Sequence, residues 1–314
     1  MCCRRAAPPR AVWFHECQAV RYDISHQTTI TYTWDVALSQ HLVHLAPRPC
    51  PQQTTYHHAL IIEPAPTLSK DDVDYFGNPT TYLTIEEPHN KLSIVSTCQV
   101  EIHALQAPDP ATTVPWESVS NYLLNQADPV CLDASQYIYE SPFTVSGEAE
   151  AFARASFPAG RPVLEGALDL MSRIFTGFKY EGGVTDISTP IDRVLADKRG
   201  VCQDFAHLQI ACLRAMGLPA RYVSGYLRTH PPEGQERKIG ADASHAWLAI
   251  WVPEFGWVDL DPTNNMMPGN EHITVAWGRD YGDVSPINGM VLGGGAHKVA
   301  VAVDVAPAAF AAET

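Results

Sequence analysis

Cys202, His245 and Asp261 are the three residues of this chain whose types could share one chemistry. The segment RGVCQDFAHLQIACLRAMGLPARYVSGYL, residues 199–227, places Cys202 directly after a Gly-Val pair and at the start of an apolar helical pattern. A buried cysteine is ordinarily a small, inert hydrophobe. At a helix N-terminus the unpaired N–H groups and the macrodipole favour a thiolate instead. His245 opens a strand pattern after the polar loop 228–243, and Asp261 closes the next strand, in DLDPTNN. A cysteine nucleophile needs a base to make or keep its thiolate, and the base needs a third group to fix its tautomer. The chain order Cys, His, Asp supplies all three. Each residue also has a plain structural reading: core for Cys202, a strand-start or surface residue for His245, a turn cap for Asp261.

Neighbouring residues fill out the candidate site. Asp204 falls in the first turn of the Cys202 helix, where an anion suits free N–H groups; it reads first as a cap and second as a supporting residue. The Cys202 backbone N–H is a natural oxyanion donor, and Tyr180, in FKYEGG, is a second candidate donor or a structural tyrosine. Trp247, like Trp251 and Trp257, reads first as core; because it shares the strand face of His245 it is also a candidate cleft wall. Arg279 and Asp280, in WGRDYGDVSP, either complete the site or form an internal salt-bridged loop. One geometric condition is demanding. If PEFG (253–256) is a four-residue turn with Val252 opposite Trp257, His245 faces Asn264 and Asp261 lies on the other face of the hairpin. The triad then requires a bulge, or a hairpin centred nearer Pro253.

Composition narrows the function. The chain has 314 residues, a formal net charge of -14 and 46% hydrophobic residues, which suits a globular protein with a real core. The acidic balance argues against nucleic acid or an anionic membrane as partner, and no apolar run reaches the ~20 residues of a membrane span. Eight cysteines are scattered without a disulfide-framework spacing or a CxxC pair, so free thiols and a cytoplasmic location are expected, with no metal and no cofactor. Cys212 reads as plain core. The five histidines between 26 and 58 lack metal-ligand spacing. The N-terminal stretch 1–18 lacks a continuous apolar region and reads as a disordered extension.

The elements that must hold these residues are an α+β set. Residues 19–105 read as strands in a sandwich-like β domain, YDISHQTTITYTW being the clearest alternation. A turn signal lies in DYFGNPTTYL. Residues 106–160 read as a Pro-rich linker and helical connection, with Ser146 as a helix N-cap. A catalytic core is expected over 161–304. It has a helix in 161–180 with Leu164, Leu168, Met171 and Phe175 at helical spacing, a short helix ending at Gly200, and the Cys202 helix. That helix is apolar nearly all round, with Phe205, Leu208, Cys212 and Met216 as its main stripe, and it is closed by Gly217 and Pro219. Strands follow in ARYVSGYL, SHAWLAIWV, GWVDLDPT and KVAVAVDV; residues 305–314 read as a tail.

Three runs together, 199–227, DASHAWLAIWVPEFGWVDLDPTNN and HITVAWGRDYGDVSPINGMVLGGG, closely resemble the bacterial transglutaminase-like family of cysteine-protease-type proteins, within the transglutaminase and papain-like superfamily. YDISHQTTITYTWDVALSQHLVHLAPRP resembles the β-rich region preceding the core in that family. The resemblance spans roughly residues 20–300. It implies Cys202 as nucleophile, His245 as base and Asp261 as orienting carboxylate. It also implies a core in which the cysteine helix packs on an antiparallel sheet. The expected activity is hydrolysis of a peptide or carboxamide bond in a peptide or protein substrate, through a thioester on Cys202. The alternatives are a transglutaminase, calcium-independent because no D-x-D-x-D-G loop is present, a peptide-binding module that keeps the fold without catalysis, or a protein whose β domain is the working part.

Overall fold

The alternation of Thr, Ile and Tyr after residue 19 does form a strand, but one much longer than the pattern alone implies. The computed structural model describes residues 19–103, 106–125, 128–229 and 243–308; the expectations for 1–18 and for most of the loop 228–243 and the tail 305–314 fall outside these. Strand β1 (Val20–Val43) is the hub of a seven-stranded antiparallel sheet with β2 (Gln53–Glu63), β3 (Leu68–Val73), β4 (Pro79–Ile85) and β5 (His89–Ile102). Its register shifts between Thr31 and Val36. The first half pairs with β5, and the second half, Ser39–Val43, pairs with β4.

The stretch that reads as a linker is packed into the core. Thr113 accepts the Leu164 N–H through its hydroxyl (3.2 Å) and is itself buried. Helices α1 (Ser118–Asn125), α2 (Pro129–Ser135) and the short α3 (Ala149–Ala153) follow. The N-cap of α3 is Glu148, two residues after the expected Ser146, whose hydroxyl still accepts the Ala149 N–H at 3.1 Å. In α4 (Val163–Gly177) the buried stripe is Leu164, Ala167, Leu170, Met171 and Ile174; Phe175 points outward and is 46% exposed, contrary to expectation. The buried face runs one position earlier, through Ala167, Leu170 and Ile174, so Phe175 lies at its solvent edge. Strand β6 (Lys179–Tyr180), α5 (Ile191–Asp197) and β7 (Arg199–Gly200) lead into α6 (Cys202–Ala215). Helix α5 ends before Gly200, at Lys198, which takes the left-handed conformation (φ 54°).

The core sheet has the order β10-β9-β8-β11, from β8 (Ala220–Leu227), β9 (Ala243–Val252), β10 (Gly256–Leu260) and β11 (His272–Gly278). Helix α6 packs on β8 and β9. Its Leu208, Ile210, Cys212 and Leu213 are completely buried, and each leucine or isoleucine contributes about 2 kcal/mol of burial free energy. Gly217, at φ 75°, ends it as expected. A one-turn helix α7 (Tyr281–Val284) precedes β12 (Ile287–Gly293) and β13 (His297–Pro307). These last two strands, read from sequence as the end of the core, hydrogen-bond to β1 in the N-terminal sheet: β13 along Tyr22–Tyr32 and β12 along Val36–Val43. Strand β1 is thus flanked on both sides along most of its length. Tyr22, Ile24, Val303 and Val305 belong to the same hydrophobic cluster as Leu208 and Leu248, so the face of the β region packs directly on the core.

Candidate active site

Gly200, Val201 and Asp204 shape the start of α6. Val201 is extended (φ -119°, ψ 179°), and its N–H donates to Asp204 Oδ2 at 2.7 Å, closing the first turn. Thr185 Oγ1 donates to the same oxygen at 2.7 Å. Burial raises the Asp204 carboxyl, against the pull of these two donors. A Cβ on Gly200 would lie 2.7 Å from Asp204 Oδ2 and 2.9 Å from its Cβ, so the glycine is what lets the cap close. Asp204 is therefore the cap that the sequence suggested first. Cys202, the first helical residue, is half-buried and opens onto a cleft of about 310 Å³.

His245 reaches that same cleft from β9, where it lies opposite Gly225 of β8. Its Nε2 is 2.7 Å from Asp261 Oδ2. The demanding geometric condition is met by the turn. Val252 pairs with Gly256 and Trp251 with Trp257, so the connection is three residues, Pro253–Phe255, and not four. A shift of one residue moves every side chain of a strand to the other face. Here it brings Asp261 to the face of His245. Glu254 (φ 70°) and Gly256 (φ 85°) make the tighter turn.

Charge is strongly organised. Burial opposes a charge on His245, but its hydrogen bonds to Asp261 and to Cys202 outweigh this and hold the ring up at about 9. Nε2 is the nitrogen held by Asp261. Asp261 is completely buried, yet His245, His272 and Asn264 hold its carboxyl far below the ordinary carboxylate range against that burial. Oδ2 accepts from Asn264 Nδ2 (2.7 Å) and lies 3.1 Å from His272 Nε2, while Oδ1 accepts the Thr263 N–H at 2.9 Å. His245, Asp261 and His272 each bring one nitrogen or oxygen within 4.8 Å of the other two. That spacing would also suit a cation. Oδ2 here bonds both ring nitrogens, and the geometry is that of a hydrogen-bonded charge network.

Two open readings are decided. Trp247 is core and does not wall the cleft. It is fully buried, its indole N–H donates to Asp259 Oδ2 (3.3 Å), and its ring packs against His245 (6.0 Å) and edge-on to His272 (5.3 Å). Its bulk is accommodated because Gly225 has no side chain; a Cβ there would lie 2.5 Å from the indole and 2.1 Å from the Ile273 carbonyl oxygen. Arg279 and Asp280 form the internal loop of the two readings. Arg279 pairs with Asp283 (2.9 Å), and Asp280 accepts the Gly282 and Phe143 N–H groups. Tyr180 is 57% exposed and packs on Phe205 (6.4 Å); the Cys202 charge reaches it, but it is not among the residues lining the cleft. Cys212 is plain core, its thiol pushed up to about 12 by burial.

Several lining residues carry no sequence signal of their own. Tyr222 of β8 stands beside Cys202, its phenol raised well above the ordinary value by burial and then by the Cys202 charge. The facing wall comes from the N-terminal sheet: His26 and Thr28 of β1, with Val299 and Val301 of β13. Thr28 pairs with Val301 and His26 with Val303, so these side chains share one sheet face. His26 Nδ1 bonds the Tyr226 hydroxyl at 3.0 Å, joining the two halves at the cleft.

Comparison with known proteins agrees with this layout. Residues 22–101 match the bacterial transglutaminase-like N-terminal region, and residues 150–262 match the transglutaminase-like superfamily core. The chain belongs to the transglutaminase-like superfamily. An uncharacterized protein of Mycobacterium tuberculosis is 40% identical over 296 residues, covering 91% of this chain and 93% of the relative. An uncharacterized protein of Mycobacterium leprae is 32% identical over 287 residues, covering 91% and 98%. A protein-glutamine gamma-glutamyltransferase of Pseudomonas aeruginosa is 39% identical over 107 residues, 32% of this chain but 16% of that protein. Among solved structures, a candidate cysteine protease from Cytophaga hutchinsonii superposes with TM-score 0.73 at 21% identity, covering 92% and 91% of the two chains. This transglutaminase-like chain therefore shares a whole two-part fold, α+β with a β-rich front, with that structure.

Proposed function

We propose that this protein is a cysteine-dependent acyl-transfer enzyme that hydrolyses a peptide or carboxamide bond in a peptide or protein substrate. The observation that carries this reading is the convergence of Cys202 at the start of α6, His245 in β9 and Asp261 just after β10, with Asp261 2.7 Å from His245 Nε2 and both Cys202 and His245 open to one cleft. The Cys202 sulfur attacks the substrate carbonyl, forming the C–S bond. The Cys202 backbone N–H supports the developing oxyanion. His245, charged and held by Asp261, gives a ring proton to the leaving nitrogen as the C–N bond breaks. The neutral ring then takes a proton from water, which attacks the thioester, releases the acid and restores the thiolate–imidazolium pair. The five described cysteines that are free thiols, Cys50, Cys98, Cys131, Cys202 and Cys212, support a reducing, cytoplasmic setting. No helix among the described residues is long and apolar enough to cross a membrane.

The stretch similar to the Pseudomonas gamma-glutamyltransferase favours a second reading, in which a primary amine replaces water as acyl acceptor. One experiment separates the two. The protein and its Cys202→Ala variant are incubated with a mixed peptide pool and a small primary amine, and products are read by mass spectrometry. Cys202-dependent fragments or carboxamide-to-acid conversion support hydrolysis, and Cys202-dependent amine adducts support transamidation. Identical products from both proteins would sink the catalytic reading.

A further inference from the structure

The sequence assigns His272 no role in the site, yet its ring is hydrogen-bonded to the orienting carboxylate. Its ring is buried, and Nε2 lies 3.1 Å from Asp261 Oδ2, the oxygen that holds His245. The other donors to Asp261 besides His245 are local: the Thr263 N–H and the Asn264 N–H and side-chain amide, all from the turn that follows it. Local donors move with the turn. His272 comes from elsewhere. It opens β11, where it pairs with Leu227 of β8. In the sheet order β10-β9-β8-β11, Asp261 follows one edge strand and His272 begins the opposite one. Their contact therefore spans the end of the sheet, past Gly225 and the edge of Trp247. Among the described residues His272 Nδ1 has no hydrogen-bond partner, so within them the ring's hydrogen bonding goes to Asp261 alone. A carboxylate must be an acceptor there, so Nε2 is the protonated nitrogen of His272.

We propose that His272 is a positioning residue that pins Asp261 from the far edge of the sheet, so that Asp261 keeps His245 in the orientation and tautomer that serve Cys202. This rests on the catalytic reading of Cys202 and His245. A group acting this way changes the chemistry of the thiol without touching it, because a loosened carboxylate stabilises the imidazolium less.

The test is the pH profile of iodoacetamide alkylation, read at the Cys202-containing peptide by mass spectrometry, for the wild type, His272→Phe and His272→Gln. The wild-type profile should carry a limb where His245 loses its proton. In His272→Phe that limb moves down by about one pH unit and the Cys202 rate at neutral pH falls about tenfold. His272→Gln, which keeps an N–H donor of similar reach, restores most of both. Superimposable profiles for all three proteins would overturn the proposal and leave His272 as a brace seen only in thermal melting. If His272→Phe does not fold, the low-field imidazole proton signal of the His245–Asp261 bond in His272→Gln carries the test, and complete loss of that signal in a folded protein overturns the claimed rescue. A wild-type profile with the single limb of a free thiol would fail differently: it refutes the ion pair itself, and the catalytic reading with it.

Discussion

Val252 is paired with Gly256 across the turn between β9 and β10. That pairing decides which face of the hairpin Asp261 shares, and hence whether His245 has a carboxylate beside it. Glu254 holds a left-handed φ of 70° inside this turn, a conformation that costs a non-glycine residue about 1 kcal/mol. Glu254→Gly should raise stability by up to about 1 kcal/mol, visible as a higher melting temperature, with the site intact. Inserting one residue after Glu254 should do the reverse. It turns Val258, Leu260 and Asp261 to the wrong face and should abolish Cys202-dependent turnover.

Asp261→Asn keeps the shape of the side chain and removes the charge. In a triad this change costs on the order of 10³–10⁴ in turnover, through the wrong imidazole tautomer. His245 should fall from about 9 toward its ordinary range. A kinetic comparison with the wild type on any Cys202-dependent substrate checks this, and a loss below tenfold would refute the orienting role.

Stability should respond to pH in two windows of opposite sign. Burial pushes His26 down to about 4 and His207 down to about 3, while an unfolded histidine protonates near 6.5. Between those values the unfolded chain binds more protons than the folded one, so stability falls as pH falls, by on the order of 3 kcal/mol for each ring when fully developed. His245 runs the other way. Its contribution is complete below about 6.5 and is lost as pH rises through about 9. Chemical denaturation across this range should show both slopes. A His26→Gln, His207→Phe variant should flatten the acid slope alone, and an unchanged slope in that variant would exclude these rings as its source.

Arg221 is buried on β8 between aromatic partners, its guanidinium 4.3 Å from the Trp257 ring and 3.6 Å from that of Trp277. Arg48 of the N-terminal half also stacks on Trp277, at 3.4 Å. Burial raises Asp259, and the Arg221 charge is the largest force opposing it. Arg221→Met keeps the bulk and strands Asp259. The expected loss is about 3 kcal/mol, recovered in part by adding Asp259→Asn; a double-mutant cycle by denaturation measures it, and strict additivity would dismiss the coupling.

What the sequence makes legible is what neighbours in the chain decide. Cys202 at a helix start, Asp204 as its cap and Gly217 as its end all depend on residues within one turn, and the apolar periodicity of α6 carries its burial. The face of Asp261 depends on one residue more or less in a turn, and PEFG suits either count. His272, His26 and Tyr222 join the site through contacts between distant strands. The sequence writes them as ordinary strand residues, because no local spacing links position 26 or 272 to position 202. Trp247 stays open between core and cleft wall for a related reason: strand parity places it beside His245 but does not say which side is covered.

The pairing of β13 with β1 has a consequence for the order of events during synthesis. A ribosome delivers β1 first and β13 some 250 residues later, and Val299 and Val301 complete the cleft wall only when that strand docks. A growing chain can already contain Cys202, His245 and Asp261 while one bank of the cleft is missing. Cys202 therefore gains the second bank of its cleft only after β13 has been made and the first strand has found its distant partner.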